Sequence, residues 1–267
     1  MESQNRNLTK DFANYWYTGK AERSTYNLSQ NRYGELRKGT ATLIFVTENF
    51  LADKQVKADD YRADNILVLK LNSTKKFNTG IYPYSIMQSS FSPIKTKSNV
   101  LKSTASIQEW CGQTYIQVNN RKKLQIESHS YFASEGDQNI ALPQIITENE
   151  IWNLIRLSGT KELPLGEFNI LPSLEFICLK HTIIKSYKAI GEIKKGNLTT
   201  YLLKIPELKR TLEINFQPEF PFIIENWSEE ITPYKPTIAK RITTKLLPYW
   251  KMNSNSYEPI RKELGLE

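Results

Sequence analysis

Two stretches in the middle of the chain alternate between apolar and polar residues almost without error. From Gln113 to Val118, Thr114, Ile116 and Val118 fall on one face, and Gln113, Tyr115 and Gln117 on the other. Asn119-Asn120 supplies turn residues. From Leu124 to Phe132 the alternation resumes, with Leu124, Ile126 and Phe132 opposed to Gln125, Glu127, His129 and Tyr131. A side-chain period of two over this length predicts a hairpin.

Similar patterns recur on both sides. Ala21 to Ser29 and Thr40 to Thr47 flank the connection Arg32-Tyr-Gly-Glu35 and read as a long hairpin. Further strands are predicted over Gln55 to Ala58, Asn65 to Leu71, Tyr82 to Ser90 and Leu101 to Glu109. In the second half they cover Phe176 to Thr182, Tyr187 to Ile193, Leu198 to Ile205, Thr211 to Phe216 and Phe222 to Trp227.

Period 3.6 appears only briefly. Leu8, Phe12, Tyr15 and Trp16 share one helical face, with Thr9 as cap and Gly19 as stop. Thr147 and Glu150 have capping-box spacing ahead of Ile151, Trp152, Leu154 and Ile155, and Gly159 and Pro164 end that helix. A last short helix begins near Pro259. More than ten strands spaced by turns, with few and peripheral helices, predict a mainly β fold: a strongly curved antiparallel sheet or partly open barrel. A parallel α/β fold would need a crossover helix after most strands, and these are missing. Residues 1–10 read as a polar N-terminal tether and 11–267 as a single β-rich domain, with 158–172 as the best sub-boundary.

Composition narrows the function classes. The 267 residues are 39% hydrophobic and 24% charged, as in folded proteins, and the 14 Tyr and 5 Trp suit strands and concave surfaces. The net charge of +8 invites a polyanion reading. Its lysines, however, stand beside turn residues: Lys75-Lys76 after Asn72-Ser-Thr, Arg121-Lys-Lys123 after Asn119-Asn120, and Lys194-Lys195 before Gly196. At solvated hairpin tips such charge discourages edge pairing and reads no nucleic-acid sequence. No apolar run reaches the length of a membrane span. Cys111 and Cys178 are too few for a metal site, and no motif implies a cofactor.

Three constellations carry candidate chemistry. Cys111, in Gln108-Glu-Trp-Cys-Gly112, is a weak candidate nucleophile with His129 as its base, since the predicted hairpin puts them on adjacent strands. Glu127, Glu135 and Asp137 are candidate acid–base carboxylates, of which one would have to be desolvated. Tyr82, Tyr84, Glu109, Trp110, Tyr115 and Tyr131 are candidate ligand-binding residues lining a concave sheet. His181, among apolar neighbours, reads as structural, and Cys178 as a buried thiol.

Several blocks resemble one family: Tyr15-Trp-Tyr-Thr-Gly-Lys-Ala-Glu22, Arg32-Tyr-Gly-Glu35, Leu43-Ile-Phe-Val-Thr-Glu48, Lys54-Gln-Val-Lys57, Thr79-Gly-Ile-Tyr-Pro-Tyr-Ser85, Gln108-Glu-Trp-Cys-Gly112 and Glu135-Gly-Asp-Gln138. They look like those of an uncharacterised Bacteroidetes family whose members often carry a lipoprotein leader and the label "septum formation inhibitor Maf". The resemblance implies a periplasm-facing lipoprotein of the cell envelope, anchored through a lipidated cysteine preceding residue 1; a cytoplasmic protein is the alternative. Maf nucleotide pyrophosphatases are α/β proteins with a Ser-x-Ser-Pro-Arg-Arg motif near the N-terminus. The nearest string here, Ser90-Phe-Ser-Pro-Ile-Lys95, is remote from it and lacks the arginine pair, so no Maf residues carry over. Gly39-Thr-Ala-Thr-Leu, Arg210-Thr-Leu-Glu-Ile and Phe220-Pro-Phe-Ile-Ile-Glu are similar to periplasmic curved-sheet lipoproteins, the class of lipoprotein carriers and localisation factors. The leading expectation is a non-enzymatic envelope domain that binds a lipid, glycan or protein partner on its curved sheet. The alternatives are a hydrolase using Cys111–His129 or the carboxylates and, behind it, nucleotide hydrolysis.

Overall fold

A computed structural model describes residues 4–266. A short helix, α1 (Lys10–Trp16), precedes a run of strands: β1 (Ala21–Arg32), β2 (Glu35–Leu51), β3 (Val56–Lys57), β4 (Ile66–Thr79) and β5 (Tyr82–Pro93). Then come β6 (Lys102–Glu109), β7 (Gly112–Asn120), β8 (Leu124–Ser130), β9 (Gln138–Leu142) and β10 (Ile146–Thr147), which leads into α2 (Glu148–Ser158). β11 (Gly166–Leu171) and α3 (Leu174–Lys180) follow. The chain closes with β12 (Tyr187–Lys194), β13 (Thr199–Ile205), β14 (Arg210–Phe216), β15 (Ile224–Ile231), β16 (Thr237–Leu247) and α4 (Ile260–Glu263).

All the strands belong to one sheet in the order β10-β11-β12-β13-β14-β15-β16-β1-β2-β4-β5-β6-β7-β8-β9, with β3 beside β2. Every pairing is antiparallel except that of β10 with β11. The two edge strands, β9 and β10, are consecutive in the chain. Only residues 143–145 separate them, so Leu142 and Ile146 lie within about 14 Å of each other. The sheet therefore rolls until its edges nearly meet without a ladder between them, which is the partly open barrel expected from the pattern.

The turns Tyr33-Gly34, Gly80-Ile81 and Trp110-Cys111 and the β15–β16 loop lie at one end, the rim. Tyr33 and Gly34 both take positive φ (57° and 79°), the backbone that a two-residue hairpin turn needs. The β2–β4, β5–β6 and β7–β8 connections lie at the opposite end, the base. There Thr9 caps α1 by accepting from the Phe12 amide at 3.1 Å, and Trp16 packs edge-on to Phe45.

The concave face carries the core, with Tyr26, Leu43, Leu69, Ile116, Ile126 and Tyr201 all buried. The helices expected at the periphery do not all lie there. α2 has nine of its 11 residues buried, and α3 is buried over six of seven, because both enter the hollow of the rolled sheet. The capping box forms: the Thr147 amide donates to Glu150 Oε1 at 2.6 Å. Inside the barrel the polar residues of α2 need partners, and most of their groups find them, Asn153 Oδ1 and Arg156 Nε excepted. Asn153 donates to the carbonyls of Leu69 and Ser90 and to Ser92, and Arg156 forms a bidentate pair with Glu22.

Other expectations need correction. Phe176–Thr182, read as a strand, is most of α3: a short apolar run has no period that separates a buried helix from a buried strand. Asn72-Ser-Thr is no turn. β4 runs through it to Thr79, which carries Lys75 into the interior and leaves only Lys76 exposed. Asn119-Asn120 ends β7, and the turn is Arg121–Lys123. β9, β11 and β16 escaped the pattern, and the supposed sub-boundary at 158–172 contains β11, paired to both neighbours. Within the stretch read as a tether, Arg6 is buried and bridges Glu162 at 2.8 Å, while residues 1–3 lie outside the described residues. Among the described residues no helix is long and apolar enough to cross a membrane.

Glu150 couples this architecture to pH. Burial pushes its carboxyl from 4.5 up to about 7, against the opposing pull of the Thr147 and Val100 amides and of Arg6. With the folded value above the unfolded one, the native state holds a proton that the unfolded chain releases, so this contribution to stability is lost as pH rises through that window. Urea titrations from pH 4.5 to 7 should show the wild type losing stability relative to Glu150→Gln. Parallel curves would contradict the assignment.

Candidate ligand pocket

A cavity of about 60 Å³ lies where the N-termini of α2 and α3 face β4, β5, β14 and β15. That is room for several waters or for the polar part of a small ligand. Its wall towards the rim holds Asn31, Tyr234 and Lys235, and the exposure of the last two brings the cavity to the surface there.

Two ion-pair systems build its floor. Arg210 donates through Nη1 and Nη2 to both oxygens of Glu148 (2.5 and 2.7 Å) and through Nε to Glu229 at 2.5 Å, with its guanidinium 4.5 Å from the Phe176 ring centre. Lys75 donates to Glu175 Oε1 at 2.7 Å, and Gln88 Nε2 to Glu175 Oε2 at 2.8 Å. The side-chain oxygen of Gln88, Oε1, in turn accepts from Asn149, Ser173 and the Glu175 amide. Glu148 accepts from the Ser173 amide, and Asn149 from the Leu174 amide. α2, α3 and the sheet are thus tied together through the polar groups that line the cavity.

Electrostatics follows from burial and partners. Burial pushes the Glu175 carboxyl up, with Lys75 opposing. Burial acts the same way on Glu229, but Arg210 and Lys75 outweigh it and hold that carboxyl below its ordinary value. Burial lowers the Lys180 ammonium, with Glu229 pulling it back. The three glutamates are committed to Lys75 and Arg210, whereas Lys180 and Lys235, also in the wall, form no ion pair among the described residues. Two buried oxygens in the wall, Gln30 Oε1 and Ser90 Oγ, have no hydrogen-bond partner, although their residues are only 3% and 2% exposed. The apolar part of the wall includes Trp152 and Trp227, perpendicular with centres 5.2 Å apart.

None of the aromatic residues expected to bind ligand lines this cavity. Tyr82, Tyr84, Glu109, Trp110 and Tyr131 gather at the rim instead. Tyr82 stacks on Trp110 at 6.2 Å, Tyr131 donates to Glu109 at 3.2 Å, and Tyr84 meets the Tyr33 hydroxyl at 2.9 Å. Tyr115 stands apart on the convex face, donating to Gln117 at 3.0 Å. Cys111 is an exposed turn residue, and its thiol is pushed up by a hydrogen bond to Glu109, the opposite of what a nucleophile needs. His129 faces Asp137 at 3.2 Å, Glu135 holds His181 at 2.6 Å, and Glu127 is exposed on β8. The candidate carboxylates are therefore each placed with different neighbours. Cys178 is buried on α3, its thiol pushed up to about 12, and both cysteines are free. Among the described residues no cluster of His, Cys, Asp or Glu has the makings of a metal site.

Comparison with known proteins adds little. No family model matches the chain, and no curated protein does. Among solved structures it is similar to the crystal structure of a beta-barrel-like protein of a domain of unknown function, DUF1849, from Brucella abortus. That match covers 85% of this chain and 98% of the other at 6% identity, with a TM-score of 0.49. The barrel-like fold of the present chain therefore rests on its own sheet.

The pocket residues were overlooked, yet their positions carried a signal. Lys75 has the parity of Leu69, Leu71 and Phe77 along β4, and Arg210 that of Leu212 and Ile214 along β14. A charge at an apolar parity is a charge turned inward, which demands a buried partner.

Proposed function

We propose that this chain is a non-catalytic binding domain that takes a small polar ligand inside its rolled sheet. The observation that carries the reading is the cavity itself, walled by buried polar side chains of which two oxygens lack partners. A cavity bordered by ion pairs and amide networks, and reaching the surface at the rim, is room for a polar occupant. A lipid tail fits poorly, because α2 and α3 fill the apolar part of the hollow and ion pairs floor the rest. The carboxylates are held as hydrogen-bonded ion pairs, which suits binding better than proton transfer. The family resemblance supports an envelope location with a lipid anchor, to be tested by fractionation and radiolabelled palmitate in the host.

Ser73 tests the binding reading. It lies between Leu71 and Lys75 on the inward parity of β4, opposite Gln88, and lines the cavity. Protein isolated from its own host is expected to retain a small molecule in native mass spectrometry, and Ser73→Phe is expected to abolish retention while the fold survives. Wild-type protein isolated empty, or retention unaffected by the filled cavity, would sink the reading.

A further inference from the structure

Resting on the binding reading, we propose that the ligand is a small hydroxylated anion, a carboxylate or phosphate on a polyol or sugar-like body, with its acid group at Lys180 and Lys235. The charges of the wall carry this. Lys75 and Arg210 already serve Glu148, Glu175 and Glu229, so the interior glutamates leave no carboxylate to satisfy a cationic ligand's partner needs. The two lysines beside the opening remain. Lys180 is half-buried at the C-terminal end of α3, its ammonium 5.5 Å from the Tyr234 ring centre, and Lys235 follows that tyrosine in the β15–β16 loop. A partly desolvated ammonium that forms no ion pair, with Glu229 acting on it only at longer range, is a ready partner for an incoming anion, and charge-assisted bonds are the strong ones.

The remaining wall recognises neutral groups. Gln30 Oε1 is an acceptor without a partner, its own Nε2 being spent on Asn31 and Thr237; closed off as it stands, it meets a ligand O–H or N–H once the side chain turns into the cavity. Ser90 Oγ offers both a donor and an acceptor. The indoles of Trp152 and Trp227 present apolar surface to the C–H face of a ring. One acid group at the mouth and hydroxyls further in satisfy both ends at once.

Isothermal titration of the full chain with glucuronate, glucose 6-phosphate, glucose and hexanoate separates the possibilities. The expected result is that glucuronate or glucose 6-phosphate binds at least about tenfold tighter than either glucose or hexanoate. Which of the two wins identifies carboxylate or phosphate as the source. The double variant Lys180→Gln/Lys235→Gln should erase the advantage over glucose without lowering the melting temperature, since neither lysine is in an ion pair. Glucose binding as tightly as the acids, or an advantage that survives the double variant, would overturn the anion assignment and leave the pocket standing. So would a neutral or cationic molecule retained from the host. Failure of the pocket itself reads differently: no binding by any of the four, together with host protein that is empty in native mass spectrometry.

Discussion

Glu22→Gln is expected to destabilise the protein by about 3–5 kcal/mol, the usual cost of stripping one partner from a buried ion pair. Glu22 and Arg156 are 0% and 1% exposed and form a bidentate pair where the start of β1 meets the C-terminal turn of α2. Tyr15 also donates to Glu22, and the Arg156 guanidinium lies 4.9 Å from the Phe45 ring centre and 5.3 Å from that of Trp16. No water reaches this site to solvate the guanidinium once its counter-charge has gone. For a chain of this size the loss corresponds to a fall in melting temperature on the order of 10 °C. The double variant Glu22→Leu/Arg156→Leu removes both charges and is expected to recover most of the stability. If the single and double variants melt together, the penalty is one of packing, and the electrostatic account is wrong.

Arg210→Met should cost a similar amount, about 3–5 kcal/mol, and should also change the dependence of stability on pH. Arg210 is the counter-charge of both Glu148 and Glu229. Without it, Glu229 loses the strongest of the cations that outweigh burial, and its carboxyl moves back up from its depressed value. A depressed carboxylate contributes stability above its unfolded value and loses it as pH falls, so that contribution goes with the arginine. The deficit against wild type is therefore expected to be smallest near pH 4 and to grow towards neutrality, as measured by urea unfolding across that range. A deficit independent of pH would mean that packing on Phe176, and not charge, is what Arg210 provides. The same variant loosens the floor of the cavity, so ligand retention should fall with it.

Much of this molecule can be read in the residues. The β6–β7–β8 meander, the hairpin through Tyr33-Gly34, the capping box at Thr147 and the rolled, mainly antiparallel sheet all follow from local periodicity and turn chemistry. Less of the site can. Cys111 and His129 attracted notice because they are rare residue types, and rarity is a property of composition rather than of environment. In the fold Cys111 sits exposed beside Glu109, and His129 turns to Asp137. The lysine pair at Lys75-Lys76 looked like a hairpin tip because its neighbours are turn formers, yet β2 and β5 hold that stretch in the middle of a 14-residue strand.

Alternation and capping act between residues a few positions apart, so the sequence by itself determined most of the strands, the helix at Thr147 and the curvature that so many antiparallel neighbours impose. The interior was decided only by tertiary structure. Rolling the sheet until β9 and β10 nearly meet creates a hollow that neither edge encodes. Filling it with α2 and α3 brings Lys75, Glu148, Glu175, Arg210 and Glu229, from five separate elements, within ion-pair range. A buried charge becomes tolerable only when its partner arrives, and here the partners lie as many as 100 residues away in the chain.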